Sequence, residues 1–176
     1  VNIKWLHSEK LQKNNVKDHL EECNCVIVAP GFGDRGVDGK INAVKYVREQ
    51  NIPFLGICLG MQVAVIEFAR NVCGYKDAHS KEMDNNTKHP VIDLMESQQK
   101  ISNKGGTMRL GSYECRLAKD SLVYNAYKVT SIEERHRHRY EFNNTYRDIF
   151  SEKGMLFSGE NKKLKLVEII ELKDHP

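Results

Sequence analysis

No stretch of this chain is apolar for long enough to cross a bilayer, and Val1 to Lys10 has neither the basic start nor the apolar centre of a signal peptide. Both absences point to a cytoplasmic protein with no membrane partner. Its five cysteines, Cys23, Cys25, Cys58, Cys73 and Cys115, form no CxxC zinc pattern and no evident disulfide framework, so they read as reduced thiols. GxxxxGK[ST] occurs nowhere, which excludes a P-loop. There is no internal repeat, low-complexity tract or linker that would mark a domain boundary. The formal charge of +3 is too small to imply a polyanionic partner such as nucleic acid. What is present is 176 residues of ordinary apolar content, enough for one α/β domain with a sizeable core.

The first half alternates strand and helix patterns. Val1 to His7 reads as a strand, Val16 to Glu22 as a short helix and Cys25 to Ala29 as an apolar strand. Ile41, Val44 and Val47 recur at helical spacing through Gly39 to Glu49. Phe54 to Ile57 is the next strand, and Leu59 to Val72 a largely apolar helix with a glycine stop at Gly74. This order predicts a mostly parallel central sheet with helices on both faces and function at the carboxyl ends of the strands. The second half differs. Ser80 to Lys104 is polar and reads as a long surface excursion. Thr107 to Leu117, Tyr127 to Ile132, Glu134 to Phe142, Met155 to Ser158 and Leu164 to Leu172 have strand composition, with a short helix near Asn144 to Phe150.

The most informative run is Pro53-Phe54-Leu55-Gly56-Ile57-Cys58-Leu59-Gly60-Met61-Gln62, a buried strand that stops at a cysteine and turns at once into a helix. That is the layout of a nucleophile elbow, in which flanking glycines make room for a strained backbone. At the helix N-terminus, the dipole and the first-turn N–H groups favour a thiolate and can stabilise an oxyanion. An arbitrary cysteine is more often a buried structural residue. The glycines and the strand-to-helix switch reverse that preference for Cys58.

Two further stretches carry chemistry. The loop Pro30-Gly31-Phe32-Gly33-Asp34-Arg35-Gly36 follows a strand and exposes backbone N–H groups to an anion or oxyanion. Taken alone it is a mobile turn. Beside a cysteine elbow it is a second oxyanion wall. Pro30 has no N–H, so the donors would be Gly31 or Phe32 together with Leu59. In Glu134-Arg135-His136-Arg137-His138-Arg139-Tyr140-Glu141, a period of two sets Arg135, Arg137 and Arg139 on one face and His136 and His138 on the other. The arginines read either as a solvated basic edge or as a fork for a small substrate's carboxylate. An RNA or acidic-protein docking strand is a weaker alternative, since aromatic stacking platforms do not recur through it. The histidines have no third ligand at metal spacing.

Together with Gly105-Gly106-Thr107-Met108-Arg109-Leu110-Gly111, these motifs resemble the glutaminase domain of the CTP synthases over essentially the whole chain. GICLGMQ alone resembles any class I glutamine amidotransferase. GGTMRLG and ERHRHRYE single out the CTP synthases and count against the glutaminase part of a GMP synthetase or a related peptidase. The resemblance implies the flavodoxin-like fold of class I amidotransferases, with extra antiparallel strands, and a Cys-His-Glu glutaminase. Cys58 is then the nucleophile, and Gly31 with Leu59, Gly60 and Met61 lie at the bound L-glutamine and its oxyanion. Gln62 and Glu82 hold the glutamine, and Arg139 takes its α-carboxylate. The domain itself needs no cofactor and no metal. In the full enzyme, a synthetase domain on the same polypeptide uses ATP and Mg2+ to aminate UTP to CTP, GTP is an allosteric activator, and subunits form a homotetramer.

The sequence departs from that pattern in two places. Ala29-Pro30-Gly31 stands where many members carry Pro-Gly-Gly, which leaves open the backbone N–H that completes the oxyanion hole. In the family, VEIIEL-x-x-HP precedes an FHPEF-like segment whose His and Glu are the base and its orienter, and residues 167–176 match the first part only. On the same resemblance, a strand and helix would precede Val1. The chain therefore reads as a partial amidotransferase domain, residues 1–176, truncated at both ends, with His175 not the catalytic histidine. Without a paired base, these residues alone are expected to be inactive.

Overall fold

Five short helices and nine strands describe residues 1–94 and 108–176 of the computed structural model. The chain divides into two units, Val1–Lys76 with His175–Pro176, and Asp77–Asp174.

In the first unit, α1 (Val16–Leu20), β1 (Val26–Val28), α2 (Val37–Glu49), β2 (Phe54–Gly56) and α3 (Leu59–Asn71) follow the expected order. The strands pair in parallel, with Val26 opposite Phe54 and Val28 opposite Gly56. The apolar stripe of α2 explains its place. Ile41, Ala43, Val44 and Val47 are buried, and Ala43 and Val47 close on Leu11, Val16 and Leu20. Each buried Ile or Val side chain contributes about 1.5–3 kcal/mol by leaving water. Val63, Val65, Ile66 and Phe68 of α3 are buried as well, so this helix is apolar nearly all round. Gly74 adopts φ +84°, and the N–H of Cys73 returns to the Phe68 carbonyl at 3.0 Å, which closes the helix where the glycine was expected to. One expectation fails. Val1 to His7 is not a strand: it pairs with none of the described strands, and Trp5 and Ile3 are exposed.

The second unit holds two sheets. One has β3 (Ala78–Ser80) parallel to β4 (His89–Leu94), with β7 (Tyr140–Phe142) antiparallel to β4. The other, in the order β6-β5-β8-β9, is antiparallel throughout and consists of β5 (Arg109–Leu117), β6 (Ser131–His138), β8 (Met155–Asn161) and β9 (Leu166–Leu172). The sheets of the fold are thus mixed. Phe150 of α5 (Arg147–Glu152) is fully buried and meets Phe142 edge-on at 5.4 Å.

Two expectations are corrected here. Ser80 to Lys104 is no simple excursion, because Val91 and Ile92 are buried in β4; the polar residues around this short strand hid its apolar pair. Residues 95–104 lie outside the described residues, as do Gly105, Gly106 and Thr107. Tyr127 to Ile132 is not one strand either. Leu122–Tyr127 forms α4, Lys128 turns left-handed at φ 60°, and β6 starts at Ser131. Ser121 caps α4 through its own hydroxyl, which accepts from the Tyr124 N–H. The carboxylate of Glu171 accepts the N–H groups of Leu122 and Val123, each at 2.9 Å. That second cap arrives from β9, where local patterning could not reveal it.

Candidate active site

Cys58 stands between β2 and α3 with φ 57° and ψ −108°, a conformation that a residue with a Cβ rarely adopts. The surrounding hydrogen bonds hold it there. Ile57 N–H donates to the Val28 carbonyl at 3.0 Å, Gly60 N–H to the Ile57 carbonyl at 2.9 Å, and Gln62 N–H to the Cys58 carbonyl at 3.2 Å. Both glycines of the motif are required by space. A Cβ on Gly60 would lie 2.3 Å from the Val28 carbonyl oxygen, and one on Gly56 would lie 2.6 Å from the Gly60 backbone. The turn can be this tight only because β1, β2 and the first turn of α3 touch backbone to backbone.

Gly31 reaches the same place. A Cβ built on it would meet the Leu59 side chain at 3.1 Å, so the glycine loop lies against the first residue after Cys58. Leu59 is buried, and its N–H lies ahead of the helical ladder of α3. Gly60, Met61 and Gln62 continue that turn, Gly60 buried and the other two partly so. The fold therefore packs Gly31 of the glycine loop against Leu59, next to Cys58; Gly31 or Phe32 together with Leu59 were the expected oxyanion donors. The base of the loop is held by Arg35, which donates to Glu9 at 2.9 Å, and by Lys40, which donates to the Arg35 carbonyl at 3.1 Å.

α2 and α3, which follow the loop and the elbow, are tied to each other. Arg48 Nε and Nη2 donate to the two carboxylate oxygens of Glu67 at 2.9 and 2.8 Å, and Asn71 donates to the same carboxylate at 3.1 Å. Glu67 is buried within an otherwise apolar helix face, and this bidentate fork satisfies it. His175 is engaged as well: its Nε2 lies 3.2 Å from the Val47 carbonyl at the end of α2.

The other two predicted residues belong to the second unit. Glu82 follows β3 in a turn where its N–H donates to the Ser80 hydroxyl at 3.2 Å. Arg139 occupies the single bend between β6 and β7. They share a neighbour, Tyr140, whose phenol is pushed above its ordinary pKa by burial and by the charges of Glu82 and Asp93, with Arg139 opposing. Sequence patterning did not show that Glu82 and Asp93 meet at Tyr140. The alternation along β6 holds for Arg135 and Arg137, which are exposed, and for His136 and His138, which turn inward; Arg139 lies past the strand's end.

Beneath that bend sits a buried ionic cluster that the sequence did not disclose. Arg109 is 1% exposed at its side chain and uses every nitrogen. Nε donates to Glu141 at 3.0 Å, Nη1 and Nη2 fork onto Glu168 at 2.6 and 2.9 Å, and Nη2 also donates to His136 Nδ1 at 3.0 Å. A guanidinium can only donate, so His136 Nδ1 accepts and the ring is neutral with its proton on Nε2. Burial accordingly pushes His136 below its ordinary pKa and His138 down to about 4, while burial pushes Glu141 up to about 7. Among the described residues, no group of three or more His, Cys, Asp or Glu side chains is arranged to hold a metal ion. Cys115 lies on the same sheet, its thiol pushed up to about 12 chiefly by burial, which makes it the inert counterpart of Cys58.

Comparison with known proteins agrees with this geometry. Among curated proteins, the chain is 57% identical over 176 residues to the CTP synthase of Christiangramia forsetii and 58% identical to that of Cytophaga hutchinsonii, with all of this chain aligned in each. It spans about a third of their length, 32% and 33%. A solved structure titled as the Trypanosoma brucei CTPS glutaminase domain with bound acivicin superposes with a TM-score of 0.86 at 36% identity, covering 97% of this chain and 66% of that one. No described helix is long and apolar enough to cross a membrane. All of residues 1–176 match the family described as Glutamine amidotransferase class-I. With a strained cysteine heading a helix and a glycine loop laid against its first turn, the chain belongs to the class I glutamine amidotransferases.

Proposed function

We propose that this chain is the glutaminase portion of a CTP synthase, releasing ammonia from L-glutamine for the amination of UTP to CTP by a synthetase domain on the same polypeptide. The observation that carries the reading is the strained Cys58 with Gly31 and Leu59 packed beside it. The Cys58 thiolate attacks the side-chain amide carbon, and the C–O π electrons move onto the oxygen. Backbone N–H groups at Leu59 and in the Gly31 loop receive that oxyanion. As the tetrahedral species collapses, the C–N bond breaks, the nitrogen takes a proton and ammonia leaves. Water then cleaves the thioester to glutamate and restores Cys58.

Gln62 and Glu82 hold the bound amino acid, and Arg139 pairs with its α-carboxylate. The protons are carried by a His oriented by a Glu, in the His-Pro-Glu segment that the family places after VEIIEL-x-x-HP. His175, turned to the Val47 carbonyl, is not that group. ATP and Mg2+ belong to the synthetase domain, and no residue of this chain is assigned to either. GTP activation, a homotetramer and a cytoplasmic location complete the reading. The trypanosomal domain that binds acivicin and the two bacterial relatives named CTP synthase support it.

The test separates the two nitrogen sources in the complete enzyme. Cys58→Ala is expected to abolish glutamine-dependent CTP formation and to leave ammonia-dependent formation within about twofold of wild type. Arg139→Ala is expected to raise the glutamine KM with ammonia-dependent activity intact. Equal loss with both sources would contradict the assignments.

A further inference from the structure

GGTMRLG has no task in the proposed chemistry and ERHRHRYE has one only at Arg139, yet the structure joins the two motifs at one buried group. Arg109 is the arginine of the first motif; His136 and Glu141 belong to the second. Between them, Arg139 sits at the only residue separating β6 from β7, where the chain leaves one sheet and enters the other. A long side chain at a one-residue bend takes its direction from the strands on either side. Both are held by the same guanidinium, His136 at 3.0 Å before the bend and Glu141 at 3.0 Å after it, while β9 anchors that guanidinium through the fork on Glu168.

We infer that Arg109 is the positioning residue for Arg139, fixing β6 and β7 to each other so that Arg139 presents its guanidinium to the α-carboxylate of glutamine. The inference rests on the role of Arg139 given under Proposed function. Lysine cannot replace Arg109 here, because one ammonium cannot fork onto Glu168 and also reach Glu141 and His136 in fixed directions. With the fork lost, the two buried carboxylates are no longer bridged in fixed directions by one cation, and β7 is held less firmly to β9. Arg109 itself touches no substrate in this account. Its effect is transmitted wholly through Arg139.

The experiment uses the complete enzyme without GTP, so that activation does not enter. Arg109→Lys is expected to raise the glutamine KM about tenfold or more with kcat within about twofold. For 4-aminobutanamide, which lacks the α-carboxylate, kcat/KM stays within about twofold of wild type. Combining Arg109→Lys with Arg139→Ala is expected to be no worse than Arg139→Ala alone, since the second change removes what the first misplaces. Glu168→Gln keeps an acceptor and shifts the KM in the same direction by less, and it carries the comparison should Arg109→Lys fail to fold. Additive losses in the double variant, or equal losses on both substrates at an unchanged melting temperature, would overturn the inference. If Arg139→Ala alone leaves the glutamine KM unchanged, the assignment of Arg139 falls first and takes the inference with it.

Discussion

A single backbone torsion pair sets the chemistry of Cys58. At φ 57° and ψ −108° the residue stands off both the strand and the helix, and the glycines at 56 and 60 make room for it. Gly60→Ala would place a methyl 2.3 Å from the Val28 carbonyl, a backbone atom that cannot swing aside. The expected cost is about 1–3 kcal/mol of stability. The turn must open to accept it, and displacement of the thiolate by about 1 Å would lower glutaminase kcat on the order of 100-fold. Thermal unfolding and steady-state kinetics on the complete enzyme check both numbers; a near-wild-type kcat would show that the elbow tolerates a Cβ. This part of the site was legible in the sequence because a strand, a cysteine and two glycines lie within a few consecutive residues. Tyr140 was not, because its neighbours Glu82 and Asp93 are far from it along the chain and meet it only through β3, β4 and β7.

Elements were readable where burial repeats at a fixed period and obscure where another element decides. α2 and α3 carry their apolar positions at helical spacing, and both formed within two residues of the expected bounds. α4 is six residues with no buried face, stabilised by the Glu171 carboxylate from β9, so its own sequence read as strand. The strands β5, β6, β7 and β9 meet at Arg109, and the histidines there give a pH signature. His138 is held neutral with its pKa at about 4, against about 6.5 for the unfolded chain. A depressed pKa means that the stabilisation is complete above 6.5 and is lost as pH falls toward 4, because only the unfolded chain takes up the proton. By pH 5 the loss is about 2 kcal/mol. Glu141, raised to about 7, acts in the opposite sense over the same window, so the comparison is made against a variant. Denaturant unfolding of the wild-type chain and His138→Asn at pH 7 and pH 5 is expected to show a smaller acid loss in the variant. An identical loss would mean that His138 is protonated in the folded state.

The molecule as a whole is a class I glutamine amidotransferase whose two units carry different parts of the assigned chemistry. The first contains Cys58, Gly31 and Leu59, and the second contains Glu82, Arg139 and the Arg109 brace. Short motifs pointed to Cys58, Gly31 and Arg139 as the residues proposed for glutamine, whereas Glu82, in a polar turn, came only from the resemblance. They did not disclose the brace, since Arg109, Glu141 and Glu168 are far apart in sequence and a charged residue in a strand pattern ordinarily faces water. The central claim is that the elbow makes Cys58, among five cysteines, the thiol directed at glutamine. Peptide mapping of the complete enzyme after incubation with acivicin, the compound held by the trypanosomal domain, tests it most directly. The account expects the label on Cys58, with L-glutamine slowing its attachment and Cys115 unmodified. Label on the exposed Cys25 with Cys58 untouched, or labelling of Cys58 indifferent to L-glutamine, would contradict it.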